Sequence, residues 1–161
     1  MAHEGLATYL NDHLAGATAG LKLAELAANE HRSDAHGAFF AELVADIKVD
    51  YDVLAGIMDR INVEKSATKS ALVEIGSAVM QPKFTGANDA MNAFITVETL
   101  SIGVEGKVCM WRALISVDDS DATLARVELE ELLERAEDQR SRLEAKRLEL
   151  APEALAHTAP V

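Results

Sequence analysis

Three charged residues that recur at seven-residue intervals within residues 94–112 are the first candidates for chemistry. Glu98, Glu105 and Arg112 stack along one line of a helix, because seven residues make close to two helical turns. That line falls inside an apolar stripe formed by Met91, Phe94, Ile95, Ile102 and Cys109. Burying two carboxylates and a guanidinium in a core is costly unless other groups pair or hydrogen-bond with them. The sequence therefore predicts a buried polar network whose partners come from other helices.

The predicted partners lie on the last helix of the chain. Arg140 and Arg147 fall on its apolar face, with Gln139 at the edge of that face. A tight polar turn at residues 118–121 would make this helix the antiparallel neighbour of the preceding one, and counting outward from the turn places Glu98 level with Arg140. A planar guanidinium fork matches a carboxylate. We therefore expect a buried Glu98–Arg140 pair, from which removal of one partner would cost about 3–5 kcal/mol.

Glu105 needs a different partner in this scheme. The candidates are His13 on the predicted inner face of the first helix, Arg112 one heptad further on, and a water molecule. The inward charges have three interpretations: an ionic lock that fixes helix pairing, a polar pocket that holds a small ligand, or a metal site. Clustered arginines repel cations, which disfavours the metal. The lock is the simplest of the three.

Composition limits the functional classes. With 161 residues, of which 49% are hydrophobic, the chain can build one domain with a real core. A formal net charge of -12 argues against a surface for nucleic acid or anionic membrane, since both need clustered Lys and Arg. A single cysteine, Cys109, excludes an internal disulfide. Neither a secretory leader nor a membrane-spanning run is recognisable, so a cytoplasmic location is expected.

Apolar periodicity predicts four long helices and one domain over residues 1–150, followed by a flexible tail over residues 151–161. The helices are expected over residues 5–32, 35–62, 88–117 and from the 118–121 turn to about 150, where Pro152 follows. Small residues in the middle of the first helix, and Gly103 and Gly106 in the third, are expected to permit close helix packing.

The segment over residues 63–87 is far longer than a hairpin connection requires. It includes a predicted short helix over residues 67–80 and can span the length of the bundle. We therefore expect a long crossover that makes the second and third helices parallel. The predicted fold class is all-α, a four-helix bundle of two helical hairpins joined by this crossover.

Over residues 5–150 the predicted chain order resembles that of the ferritin-like bundles. It consists of a helical hairpin, a long crossover and a second helical hairpin. Members that bind two irons place Glu-x-x-His motifs on two helices, and this sequence has none. Only Glu98 and Glu105 could correspond to family ligands, so the resemblance implies the architecture without the di-iron chemistry.

These observations predict a non-enzymatic scaffold or a bundle that binds a small ligand or partner, with no cofactor and no catalytic set. The expected polar network comprises seven residues: His13, Glu98, Glu105, Arg112, Gln139, Arg140 and Arg147. A homodimer through Leu100, Trp111 and Leu114 is expected. The alternative is an iron- or manganese-dependent enzyme that uses His13, Glu98 and Glu105.

The missing Glu-x-x-His motifs give a first testable prediction. Protein incubated anaerobically with ferrous iron and then exposed to oxygen should show no dinuclear signature by Mössbauer spectroscopy, because no paired ligand motif is available to bridge two irons. A dinuclear signal at about two irons per chain would contradict it.

Overall fold

The computed structural model describes residues 4–65, 89–117 and 126–156. Within these ranges all regular secondary structure is α-helical, which confirms the all-α class and the four long helices. The helices are α1 (Glu4–Glu30), α2 (Gly37–Arg60), α3 (Asp89–Ser116) and α4 (Arg126–Leu155). The short helix predicted over residues 67–80 and the turn predicted at residues 118–121 lie outside the described residues. None of the four described helices is both long and apolar enough to cross a lipid bilayer.

The helix directions follow from two core clusters, one at each end of the bundle. One cluster joins Leu10 near the start of α1 to Met58 near the end of α2 and Trp111 near the end of α3. The other joins Ala27 near the end of α1 to Phe94 near the start of α3. The carboxyl ends of α2 and α3 therefore lie together, which confirms that these two helices are parallel. The connector that must link opposite ends of the bundle falls mostly within residues 66–88, outside the described residues.

Helix neighbours are antiparallel, but they are not equally close. The closest backbone approaches join α3 to α4, α1 to α2 and α1 to α3. Helix α2 reaches α4 mainly through long side chains, as in the bond from Arg60 to Glu128 (3.1 Å) and the pairing of Arg142 with Asp46. The α2–α4 side of the bundle is thus bridged by charged side chains. On the other three sides the helix axes lie closer together.

The buried face of α3 differs from the predicted one. Val97, Leu100, Val104 and Trp111 are buried, whereas Ile102 is 70% exposed. Cys109, expected to be a buried thiol, is also exposed. Apolar residues occur on all sides of α3, so its periodicity could not select the face that packs. The predicted stripe is confirmed at Phe94, which lies in the core, and was wrong at Ile102 and Cys109. The line of Glu98, Glu105 and Arg112 lies away from the core.

The same rotation of α3 removes the predicted dimer contact. Leu100, Trp111 and Leu114 are only 4%, 1% and 5% exposed, because they pack in the core of their own chain. They cannot face a second copy in this fold, so this part of the dimer prediction was wrong. Whether the chain self-associates by another surface stays a prediction.

Helix α4 continues past its predicted end. It includes Pro152 and ends at Leu155, five residues beyond Leu150. Proline lacks a backbone N–H and disfavours a helix interior, but Ala154, 7% exposed, packs in the core and holds this last turn in place. Residues 151–155 therefore belong to the helix rather than to a flexible tail, and residues 157–161 lie outside the described residues.

The turn between α1 and α2 is held by a compact set of polar contacts. Nδ1 of buried His31 lies 2.6 Å from Oδ2 of Asp34, and the His36 backbone N–H donates to Asp34 Oδ1 at 2.7 Å. The hydrogen bond with His31 is the main cause that lowers the pKa of the Asp34 carboxyl. The stabilisation from this contact is therefore present above the unfolded pKa of Asp34 and is lost as the pH falls through the lowered folded pKa.

Gly37 begins α2 where the backbone of this turn comes very close. An added Cβ would collide with the His31 carbonyl oxygen and lie 3.2 Å from the Arg32 carbonyl oxygen. Both obstacles are backbone atoms, which cannot rotate away. Only glycine, which has no Cβ, fits at this position without a steric clash.

Gly37→Ala should lower the free energy of unfolding by about 1–3 kcal/mol, the usual cost of overpacking. The matched control is Gly56→Ala, also in α2, where an added Cβ meets nothing within 4 Å. The control should instead gain about 0.5–1 kcal/mol from helix propensity. Urea denaturation followed by circular dichroism measures both, and equal effects of the two changes would contradict the crowding at Gly37.

Candidate functional site

A carboxylate buried at the centre of the bundle joins three helices. Asp50 of α2 is 7% exposed. Its Oδ2 accepts a hydrogen bond from Gln139 Nε2 of α4 at 2.8 Å and another from Lys107 Nζ of α3. Its Oδ1 accepts from Arg135 of α4. Lys107 also donates to Oε1 of Gln139, which is fully buried. We call these four residues the central cluster.

The central cluster stabilises the charged forms of Lys107 and Asp50, which burial alone would disfavour. Burial is the main cause that lowers the pKa of the Lys107 ammonium, and the nearby Asp50 carboxylate works in the opposite direction. The side chains of Lys107 and Asp50 are 15% and 8% exposed. The sequence predicted a buried salt bridge between Glu98 and Arg140. In the structure the buried pair is Asp50 with Lys107.

A second ion cluster lies beside the central cluster between α2 and α4. Arg142 pairs with Asp46 across the two helices and donates from Nε to Asp138 Oδ2 at 2.9 Å. The hydrogen bond with Asp46 is the main cause that raises the pKa of Arg142. Arg142 is therefore matched by two carboxylates, one from each helix.

A cavity of about 370 Å³ lies between α1, α2 and α3, next to the central cluster. Gly16 and Gly20 of α1 line it opposite Gly103 and Gly106 of α3. A Cβ added at any of these four glycines would meet no atom within 4 Å. The close approach expected between α1 and α3 is present, and these glycines in addition leave unfilled space between the two helices.

The wall of the cavity is largely apolar, with two buried ionic groups in it. Apolar surface comes mainly from half-buried and exposed lining residues such as Leu23 and Ile102, because Trp111 is only 1% exposed. Asp50 and Lys107 bring the ion pair of the central cluster to the cavity. An apolar cavity with a few placed polar groups is the usual form of a small-molecule site.

His13 also lines this cavity, on the α1 side. Burial lowers the pKa of its imidazole, and its ring packs edge to face against Tyr9 with centroids 4.6 Å apart. His13 is therefore placed beside the cavity as a half-buried and mainly neutral side chain at pH 7.

The predicted Glu98–Arg140 pair does not form. Arg147 donates to Glu98 at 3.3 Å, and Arg140 donates to Glu105 at 3.0 Å. Glu98 is thus matched with an arginine seven residues further along α4 than predicted, and Glu105 takes the arginine that was expected for Glu98. The prediction counted from a tight turn at residues 118–119, and residues 118–125 lie outside the described residues. The observed pairs shift α4 by one heptad along α3 and leave the same faces opposed.

The pairs on this side are also largely in solvent. The side chains of Glu98 and Arg147 are 46% and 26% exposed, and those of Glu105 and Arg140 are 48% and 40% exposed. Arg112 donates to Glu137 at 2.7 Å, with both side chains similarly exposed. Surface pairs of this kind contribute about 0–1 kcal/mol each. The ionic lock predicted here is therefore a surface ladder that lines an open groove between α3 and α4.

The seven predicted site residues thus separate into three places. Gln139 belongs to the central cluster and His13 to the cavity, whereas the other five form the surface ladder: Glu98, Glu105, Arg112, Arg140 and Arg147. The metal-enzyme alternative required His13 to meet Glu98 and Glu105, and the structure does not bring them together. Within residues 4–65, 89–117 and 126–156, no group of three or more His, Cys, Asp and Glu is arranged to hold a metal ion.

Three residues of the central cluster were missed from the predicted set: Asp50, Lys107 and Arg135. A signal was present for two of them. Asp50 follows the buried Ile47 by three residues and precedes the buried Leu54 by four, and Lys107 stands in the same relation to Val104 and Trp111. Polar residues at such spacings lie on a core-facing side of a helix.

Comparisons with known proteins add no relative. No protein-family model, no curated protein and no solved structure matches this chain. The geometry of the described residues therefore carries the functional argument.

The central cluster predicts a strong asymmetry between single and double substitutions. Asp50→Leu should lower the free energy of unfolding by about 3–5 kcal/mol, because it removes the carboxylate that Lys107 and Arg135 share. Combining it with Lys107→Met should recover part of that loss, since no buried ammonium remains. Urea denaturation of the single and double variants measures the coupling.

Glu98→Gln is the control for a residue on the surface ladder, and it should cost less than about 1 kcal/mol. A cost below about 0.5 kcal/mol for Asp50→Leu, as at an ordinary surface position, would contradict the buried cluster.

Proposed function

We propose that this chain is a small-molecule-binding helical bundle whose ligand occupies the cavity between α1, α2 and α3. The observation that carries the proposal is the coincidence of that cavity with the buried Asp50–Lys107 pair. An apolar pocket that stays open to water leaves surface that packing would otherwise bury, and an ion pair withdrawn from water is also costly. Both together are explained if a ligand fills the space and uses the polar wall.

The size and lining of the cavity support this function. A volume of about 370 Å³ falls within the usual range for small-molecule sites of roughly 300–1,000 Å³. It exceeds the roughly 150 Å³ of an engineered apolar cavity that takes up benzene. Apolar contacts from the accessible lining residues, such as Leu23 and Ile102, would supply most of the binding free energy, and the ion pair would orient the ligand.

The connectivity supports a ferritin-like architecture for the bundle. Two antiparallel hairpins, with α2 parallel to α3, match the chain order of that superfamily. The space between helices is a common place for ligand sites in such bundles. A non-enzymatic role follows from the central cluster, whose groups are engaged with one another. Homo-oligomerisation remains part of the proposal without a defined surface.

Trp111 provides a direct reporter for the test. It is the only tryptophan in the chain, is 1% exposed and lines the cavity. Cyclic ketones and carboxylic acids of about six to twelve carbon atoms suit a site of this size, and the weak absorption of the ketones near the excitation wavelength is corrected with free tryptophan as the reference. Some members should change the Trp111 emission saturably and raise the midpoint of thermal unfolding.

A pair of glycine variants links any binding to the cavity. Gly20→Leu places a side chain inside the cavity and should weaken binding at least about tenfold, because the ligand and the new side chain compete for one space. Gly56→Leu makes the same change in α2 outside the cavity lining and should bind as the unmodified chain does. Equal binding by both variants, or no response of Trp111 to any compound, would overturn the proposed function.

A further inference from the structure

We infer that Lys107 anchors the ligand through an oxygen acceptor, so the cavity takes compounds with an apolar body and one carbonyl or carboxylate group. This inference rests on the proposed binding function and adds the chemical class of the ligand. It is argued from the hydrogen-bonding capacity of the groups that meet at the cavity wall.

Lys107 has a donor to spare. A lysine ammonium carries three N–H groups. Two described side chains accept from Lys107 Nζ, Asp50 through Oδ2 and Gln139 through Oε1. Both acceptors hold the ammonium at the cavity wall, where Lys107 is one of the lining residues. The remaining N–H is available to an acceptor that enters the cavity.

Asp50, the other ionic group at this wall, is already supplied with donors. Its Oδ1 accepts from Arg135, and its Oδ2 accepts from both Lys107 and Gln139. An amine ligand would have to compete with three donors, two of them cationic, for a carboxylate that is 7% exposed. An ammonium would also meet the charge of Lys107 at short range. The cavity therefore disfavours cationic ligands and donors.

The remaining polar groups around the cavity do not reverse this preference. Asp12 lies at the rim and is exposed, so water screens its charge. His13 is mainly neutral at pH 7, because burial lowers the pKa of its imidazole. Arg142 lies behind the central cluster and is matched by Asp46 and Asp138. A neutral ketone and a carboxylate both satisfy the free N–H of Lys107, and the experiment separates them.

The test uses four probes that share one cyclohexane body and differ only in the polar group: cyclohexylacetate, cyclohexylacetone, 2-cyclohexylethylamine and ethylcyclohexane. The emission of Trp111 reports binding of each, after correction for the weak absorption and collisional quenching by the ketone, both measured on free tryptophan. The acetate or the ketone should bind at least about tenfold more tightly than the amine and the hydrocarbon, as expected for one hydrogen bond to a charged group. Whichever of the two binds more tightly identifies the acceptor class.

Variants of Lys107 identify the anchor. Lys107→Met retains a side chain of similar length without a donor, so the preference for oxygen-bearing probes should disappear while binding of ethylcyclohexane persists. Lys107→Gln retains a neutral donor and should keep ketone binding better than acetate binding. Lys48→Met is the matched control, because Lys48 is exposed on α2 and pairs only with Asp52 among the described residues. Circular dichroism establishes that each variant is folded.

The possible failures point to different conclusions. Tightest binding by the amine, equal binding by ethylcyclohexane, or an unchanged oxygen preference in both Lys107 variants would overturn the inference and leave the binding function intact. Failure of all four probes to alter the Trp111 emission would overturn the inference together with the proposed function.

Discussion

The buried carboxylate of Asp50 is the interaction on which the rest of this structure depends. It is the one group in the described residues to which α3 and α4 both donate, through Lys107, Gln139 and Arg135. Removing Asp50 would leave the buried ammonium of Lys107 without a carboxylate, which is more costly than never having buried it. The cluster therefore fixes the register of α2 against α3 and α4, a task that apolar packing alone performs less specifically.

The packing around this cluster is uneven in a way that creates the cavity. On the α2–α4 side the helices are bridged by long charged side chains such as Arg142, whereas α1 approaches α2 and α3 directly. Glycines on α1 and α3 then leave space above the Asp50–Lys107 pair that no side chain of the described residues fills. A structure that maximised its own stability would fill this space, since each cavity carries a cost in lost contacts. Retaining it beside a polar wall is typical of a binding site.

The sequence predicted the fold better than the site. Helix number, parallel α2 and α3, and helix ends within a few residues follow from periodicity and connector length. The face of α3 could not be predicted, because apolar residues such as the exposed Ile102 surround that helix on all sides. The pairing of Glu98 with Arg147 depends on the register between α3 and α4, which spacing within one helix does not encode. Asp50 was recognisable as a polar residue at core spacing, but its partners were not.

The protonation of Lys107 tests the buried cluster most directly. Carbon-13 labelling of lysine allows the Cε resonance of Lys107 to be followed against pH, in the folded protein and in the same protein unfolded by urea. Because burial lowers the pKa of Lys107 and Asp50 partly offsets that effect, the folded protein should release this proton at a lower pH than the unfolded chain. In Asp50→Asn the release should move to a still lower pH. The same midpoint in the folded and unfolded protein, unchanged by Asp50→Asn, would show a solvated lysine and would contradict the account.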